Sequence, residues 1–122
     1  MNVKNVVETL SQLYPDKNII ENKDKEGKTV EIICELTATK GLSEAIAVID
    51  RAIAHHHKIA TETYEVIRGK LILNKDKEKF LLQVGDTITI EPGEVHSAEG
   101  NETWIKVVCR PGWNRLDHII AR

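Results

Sequence analysis

From residue 29 onward the sequence keeps returning to a two-residue alternation in short runs, most of them closed by Gly, Pro, Asn or Asp. In KTVEIICELT, Val30, Ile32, Cys34 and Leu36 alternate with Thr29, Glu31, Ile33 and Glu35. This is the period of a strand with one buried face. EAIAVIDR, TETYEVIR, KLILN, EKFLLQ, DTITIE, EVHSA and TWIKVVCR follow at short intervals. Short strands at this spacing build an all-β sandwich or barrel. Two hairpins can be placed: Gly69 breaks the strand after Arg68, and NKDKE supplies a polar turn between Leu73 and Lys79.

Ahead of the strands the period is different. In VKNVVETLSQLY the apolar residues Val3, Val6, Val7, Leu10, Leu13 and Tyr14 form one helical stripe, and Pro15 disfavours helix at the residue before it. The spacing therefore predicts a short N-terminal helix within 1–15, lying across the outside of a sheet. The tail PGWNRLDHIIAR (111–122) opens with a turn and loses the alternation, which suits a loop with a short helix or an edge strand. A chain of 122 residues fits one core, so a single domain over 1–122 with its barrel in 28–110 is expected.

Composition narrows the function classes. The formal net charge is −2, and the basic residues are interleaved with acids in NKDKEGK and NKDKEK. That leaves no electrostatic case for a nucleic-acid partner and reads as solvated turns. No run approaches the roughly 20 apolar residues needed to cross a bilayer, and the N-terminus lacks a basic segment leading into an apolar one, so a cytoplasmic chain without a membrane partner is expected. Cys34 and Cys109 are far apart in apolar segments and read as buried thiols.

The chemistry-bearing stretch is AHHHKIATETYEVIRG, residues 54–69. On an extended segment His55 and His57 share a face, and His56 points the other way. Glu62, Tyr64 and Val66 share a face of the next strand. If that face lines the same interior, a carboxylate joins two imidazoles. His96, after the EPGE turn, offers a fourth ligand. A mixed set of imidazole and carboxylate suits a divalent first-row metal: Zn, Mn, Fe, Ni or Co.

These residues carry a resemblance to the cupin superfamily. The first cupin motif is matched from its His-x-His onward by His55, His57, Glu62 and Gly69, although Ile49 stands where the motif begins with glycine. The second aligns with Gly85, Gly93 and His96. Glu91 takes its proline position, with Pro92 next, and Gly100 its asparagine position, with Asn101 next. The resemblance spans about residues 28–110, and WIKVVCRPGW is similar to the last strand and exit turn of single-domain cupins. It implies a small antiparallel β-barrel or jelly roll with one divalent metal held inside by His55, His57, Glu62 and His96.

Such a site implies a small-molecule substrate. Three readings follow: a metal-dependent isomerase, epimerase or lyase acting on a small oxygenated metabolite, a dioxygenase using Fe or another redox metal and O2, and a non-enzymatic binding barrel. Tyr64 is the candidate for donating a hydrogen bond or proton. Among other residues, Cys109 shares the inward face of the last strand, and Trp104 belongs to its outer face, to be covered by a subunit interface or by the N-terminal helix. Trp113 is placed to close the barrel mouth, Arg68 reads as a rim charge and His56 as an outward bystander. The resemblance also implies a homodimer, with which outward-facing Ile67 and Trp104 are compatible.

Overall fold

The computed structural model describes residues 1–121, so Arg122, the last residue of the expected tail, lies outside the described residues. Helix α1 spans Val3–Leu13. Asn2 caps it, its side chain accepting the Asn5 N–H at 3.1 Å, and the helix ends just before Tyr14 and Pro15, as the sequence indicates. An 11-residue helix is marginal alone and is held by what it covers. Val6 and Leu10 are buried against Ile32, Cys34, Ile46, Val48 and Trp104 on the outside of the sheet.

The strands are β1 (Asn18–Lys23), β2 (Thr29–Ala38), β3 (Ser43–His57), β4 (Thr61–Arg68), β5 (Leu71–Lys75), β6 (Glu78–Leu82), β7 (Thr87–Ile90), β8 (His96–Arg110) and β9 (His118–Ile120). All pairings are antiparallel. The strand order is β1-β2-β3-β8-β4-β7, with β9 on the free side of β3 and β5 and β6 continuing from β8. Strands β3 and β8, of 15 residues each, are long enough to take part in both halves of the barrel.

The structure differs from the sequence reading in the following places. EVHSA and TWIKVVCR are parts of one strand, β8, which continues through an irregular stretch where Ile49 pairs Thr103 but Arg51 pairs Glu99. Two steps on β3 face four on β8, and Glu102 there has a φ of 48°. Strand β1 was not anticipated, because NIIENK is a mostly exposed edge with no alternation to detect. The sheet therefore begins at Asn18 and ends with β9, outside the 28–110 expected for the barrel. The tail forms a 3-10 turn at Arg115–Asp117 and then the edge strand β9.

Strand β2 is covered on both faces. Ile32 and Cys34 pack under α1, while Ile33 packs against the interior core of Ala47, Ile49, Tyr64, Val66, Leu71, Leu73 and Ile105. Trp104 is only 5% exposed because α1 covers it, and Arg68 lies over its ring at 4.7 Å. Of the two covers expected for this outer-face residue, the N-terminal helix is the one found, so Trp104 is not available to a partner subunit. Ile67 remains on the surface.

Candidate metal centre

The histidines reach the interior through an irregularity in β3. Ala52 pairs Ala98 and His55 pairs His96, so three steps on β3 stand against two on β8. The additional residue changes which alternate side chains face inward. His55 and His57 are thereby buried, whereas His56 is half-buried. Glu62 enters from β4, opposite Cys109 of β8 and Ile90 of β7. The EPGE turn is tied to the same place, because Gly93, with a φ of 85°, donates its N–H to the His57 carbonyl at 2.7 Å.

The expected set thus comes together: one candidate ligand atom from each of His55, His57, Glu62 and His96 lies within 4.8 Å of the others. Backbone carbonyls orient two of the rings. His55 Nδ1 lies 2.8 Å from Ile53 O, and His96 Nδ1 lies 3.0 Å from Glu94 O. Placing the proton on Nδ1 in each case leaves Nε2 as a lone pair, the arrangement second-shell contacts impose on metal-binding histidines. Burial, aided by the charge of His96, lowers His55 to about 3, so it stays neutral and able to ligate. Burial opposes ionisation of Glu62, but the adjoining His57 and His96 outweigh it and bring the carboxyl down to about 2. Burial likewise works against a charge on His57, which the Glu62 carboxylate more than offsets.

Whether these residues suit a cation is decided by the geometry of their free atoms. Glu62 Oε1 is 3.0 Å from His57 Nε2 and 3.3 Å from His96 Nε2. All three atoms are buried, and none has a partner in hydrogen-bonding geometry. Unpaired buried polar atoms are costly. A closed imidazolium–carboxylate pair would aim an N–H along one of these contacts. Here the contacts are close but misaligned, the pattern of donors converging on a common centre. Three imidazoles and one carboxylate fit a divalent first-row ion.

Around the cluster, Tyr64 is 6% exposed and its ring centroid lies 6.1 Å from that of His96, on the inward face shared with Glu62. Cys109 is also buried beside Glu62. Arg68 turns away to Trp104 and takes no part. His56 is not simply solvated, since its Nδ1 is buried without a hydrogen bond. Trp113 is half-exposed, with its ring 6.1 Å from that of His118.

Two residues at the centre were missed by the sequence reading. His118 of β9 pairs with His57, and its ring stacks on His55 with centroids 4.2 Å apart and planes at 18°. Burial, then the charge of His57, lowers its pKa. Asp117 accepts the N–H groups of Lys58, Ile59 and Ala60 at 2.8, 3.0 and 3.0 Å, clamping the turn between His57 and Glu62. The signal was the pair Asp-His directly before the apolar Ile119 and Ile120, and it has meaning only once the tail is known to return alongside β3.

No protein-family profile matches the chain. It is 29% identical over 92 residues to the uncharacterized protein MJ1618 of Methanocaldococcus jannaschii, covering 70% of this chain and 73% of that protein. Among solved structures, the Streptomyces nucleoside dehydratase Pac13 superposes with a TM-score of 0.77 at 15% identity, covering 89% of this chain and 88% of Pac13. An RmlC-like cupin from Shewanella frigidimarina superposes with a TM-score of 0.66 at 18% identity, covering 82% and 87% of the two chains. These superpositions cover most of the chain, and with the antiparallel topology they establish that this chain has the cupin fold.

Proposed function

We propose that His55, His57, Glu62 and His96 hold one divalent metal ion, and that the protein is a metal-dependent enzyme moving a proton on a small oxygenated metabolite, in an isomerase, epimerase or lyase reaction. The observation that carries this reading is the set of buried, unpaired Nε2 and Oε1 atoms converging within 4.8 Å. Bound there, the ion would act as a Lewis acid on a substrate oxygen. The chain supplies the rest. Ile53 O and Glu94 O hold the His55 and His96 rings in orientation. Ile49, Val66 and Ile105 form an apolar core in the same interior, and electrostatic contacts are stronger in such surroundings than in water. Tyr64, its hydroxyl kept protonated by burial and then by the charges of Glu62 and Glu31, is the residue we assign to donate a hydrogen bond or proton. That a dehydratase acting on a nucleoside uses this barrel supports elimination chemistry on a hydroxylated small molecule.

The test is elemental analysis of protein purified without chelators, then reconstituted singly with Zn, Mn, Fe, Ni and Co. One equivalent is expected in the wild type and far less in His57→Ala and His96→Ala. Substoichiometric metal with every ion, or equal affinity in the variants, would overturn the site. The identity of the native ion together with O2 uptake separates proton transfer from the dioxygenase reading. Metal binding without turnover across a broad substrate screen favours a binding barrel. The homodimer is carried by the cupin resemblance and is tested by sedimentation.

A further inference from the structure

The tail meets the histidine cluster through a single ring. Strand β9 pairs Ile120 with His55, Ile119 with His56 and His118 with His57, and beyond it the Ala121 N–H donates to the Ala54 carbonyl at 2.9 Å. Just ahead of β9, the Asp117 carboxylate accepts the three N–H groups of the Lys58–Ala60 turn. Both ends of β9 are thereby tied to the stretch of chain that carries His55 and His57. These contacts place His118, and its side chain turns toward both candidate ligands. Its ring lies face to face with His55, centroids 4.2 Å apart and planes at 18°. Against His57 it lies edge to face, centroids 5.4 Å apart and planes at 79°.

Both of those rings need a second restraint. The contact of His55 Nδ1 with Ile53 O fixes one point of the ring and leaves its tilt about that point free. His57 is held less well, since its Nδ1 and Nε2 are both buried and neither makes a hydrogen bond in good geometry. Packed aromatic rings prefer defined relative orientations, so one side chain touching two rings restrains two planes. The restraint comes from the ring of His118 and not from its Nδ1, which is itself buried without a hydrogen bond. Nor does His118 belong to the four residues whose ligand atoms converge within 4.8 Å.

We propose that His118 is a positioning residue of the metal centre: a fifth imidazole that does not ligate, but clamps the His55 and His57 rings in the orientation in which their ligand atoms converge with those of Glu62 and His96. This rests on the metal site proposed above. The ligands come from β3, β4 and β8, and the restraint on two of them comes from β9. The centre is therefore complete only with the tail docked beside β3.

The experiment uses the full chain with zinc and cobalt(II) as probes. Affinity is read by competition against a chelator, and ligand geometry from the visible absorption of the cobalt form. Wild type is expected to bind one equivalent of either ion. His118→Ala is expected to bind about 10- to 100-fold more weakly, as loss of an outer contact to a ligand does, with an altered cobalt spectrum. His118→Phe, which keeps a flat ring and drops both nitrogens, is expected to stay within about threefold of wild type, with the wild-type spectrum. Ile120→Ala, in the same strand and 44% exposed, is expected to match wild type. If His118→Ala does not fold, His118→Leu, which fills the space without a ring plane, takes its place with the same expectation. Wild-type affinity and spectrum in that variant overturn the role of His118 and leave the metal site standing. Binding by His118→Phe as weak as by His118→Ala or His118→Leu also overturns it, by assigning the effect to the nitrogens. An equal loss in Ile120→Ala overturns it by assigning the effect to docking of the strand. No binding by wild type overturns the metal site, and the role of His118 with it.

Discussion

Glu62 Oε1 stands 3.0 Å from His57 Nε2 with no hydrogen bond between them, inside a barrel where both side chains are almost completely buried. An arrangement of this kind leaves the folded chain with an electrostatic cost that a cation would relieve. Metal should therefore act as a stabilising ligand of the native state.

At a free-ion concentration about 100 times Kd, binding to the native state alone contributes about 2.7 kcal/mol. For a domain of this size that corresponds to a rise in Tm of roughly 8–14 °C. Calorimetry of wild type with and without chelator should show it, and His96→Ala should show no difference between the two conditions. An unchanged wild-type Tm on chelation would argue against the site.

Asp117 makes a second prediction. Its three N–H contacts fix the Lys58–Ala60 turn, and that turn sets the separation of His57 from Glu62. Asp117→Ala should weaken metal binding about 10- to 100-fold, as loss of an orienting contact does, while costing about 1–2 kcal/mol of stability, as loss of a capping side chain does. The effect has a pH sign. Burial opposes ionisation of Asp117, but the three N–H donors hold its pKa below the ordinary 3.8, so its contribution is present above that value and is lost as pH falls through the lowered one. Isothermal titration with zinc and acid unfolding of the two proteins would check both parts.

Most of the framework was legible because short alternating runs and their turn residues report it locally. Pro15 marked the end of helix α1, and the hairpin after Leu71 closes through Asp76 and Lys77, with Asp76 at a φ of 54°. The four clustered residues were legible because His55 and His57 share a strand parity and His96 follows a glycine-marked turn. What alternation could not say is which parity faces inward, since that depends on the extra residue between Ala52 and His55, and a bulge leaves no mark in composition. His118 and Asp117 were hidden for a different reason: a three-residue edge strand carries no period, and its place beside His57 depends on contacts across more than 50 residues. In β2 the alternation hides a second covered face, since Ile32 and Cys34 pack under α1 while Ile33, of the other parity, packs against the interior core.

A third prediction concerns the thiols. Burial raises Cys109 from its ordinary 9.0 to about 11, with the charge of Glu62 adding to it, and burial also raises Cys34. Both should therefore be protonated and unreactive toward a disulfide reagent at pH 8, and both should react after unfolding. Because the folded-state pKa of Cys109 is raised, its contribution to stability is complete below about pH 9 and declines as pH climbs through about 11. Denaturant midpoints measured between pH 8 and pH 11 should fall over that window, and the fall should be smaller in Cys109→Ala.

The last prediction tests the crossing in β8, where the second cupin motif departs from its usual asparagine. A Cβ on Gly100 would lie 2.5 Å from Thr103 Oγ1 and 2.8 Å from the Ile49 carbonyl oxygen. The second contact is backbone of the paired strand, and Thr103 is fully buried with its hydroxyl donated to Lys70 O, so neither neighbour can move aside at little cost. Gly100→Ala should lower stability by about 1–3 kcal/mol, as overpacking does, and restoring the motif residue with Gly100→Asn should cost more. Asn101→Ala, one residue on and exposed, should change the denaturant midpoint little. If Gly100→Asn matched wild type, β8 would not make the tight crossing that brings His96 opposite His55, and the geometry of the centre would have to be different.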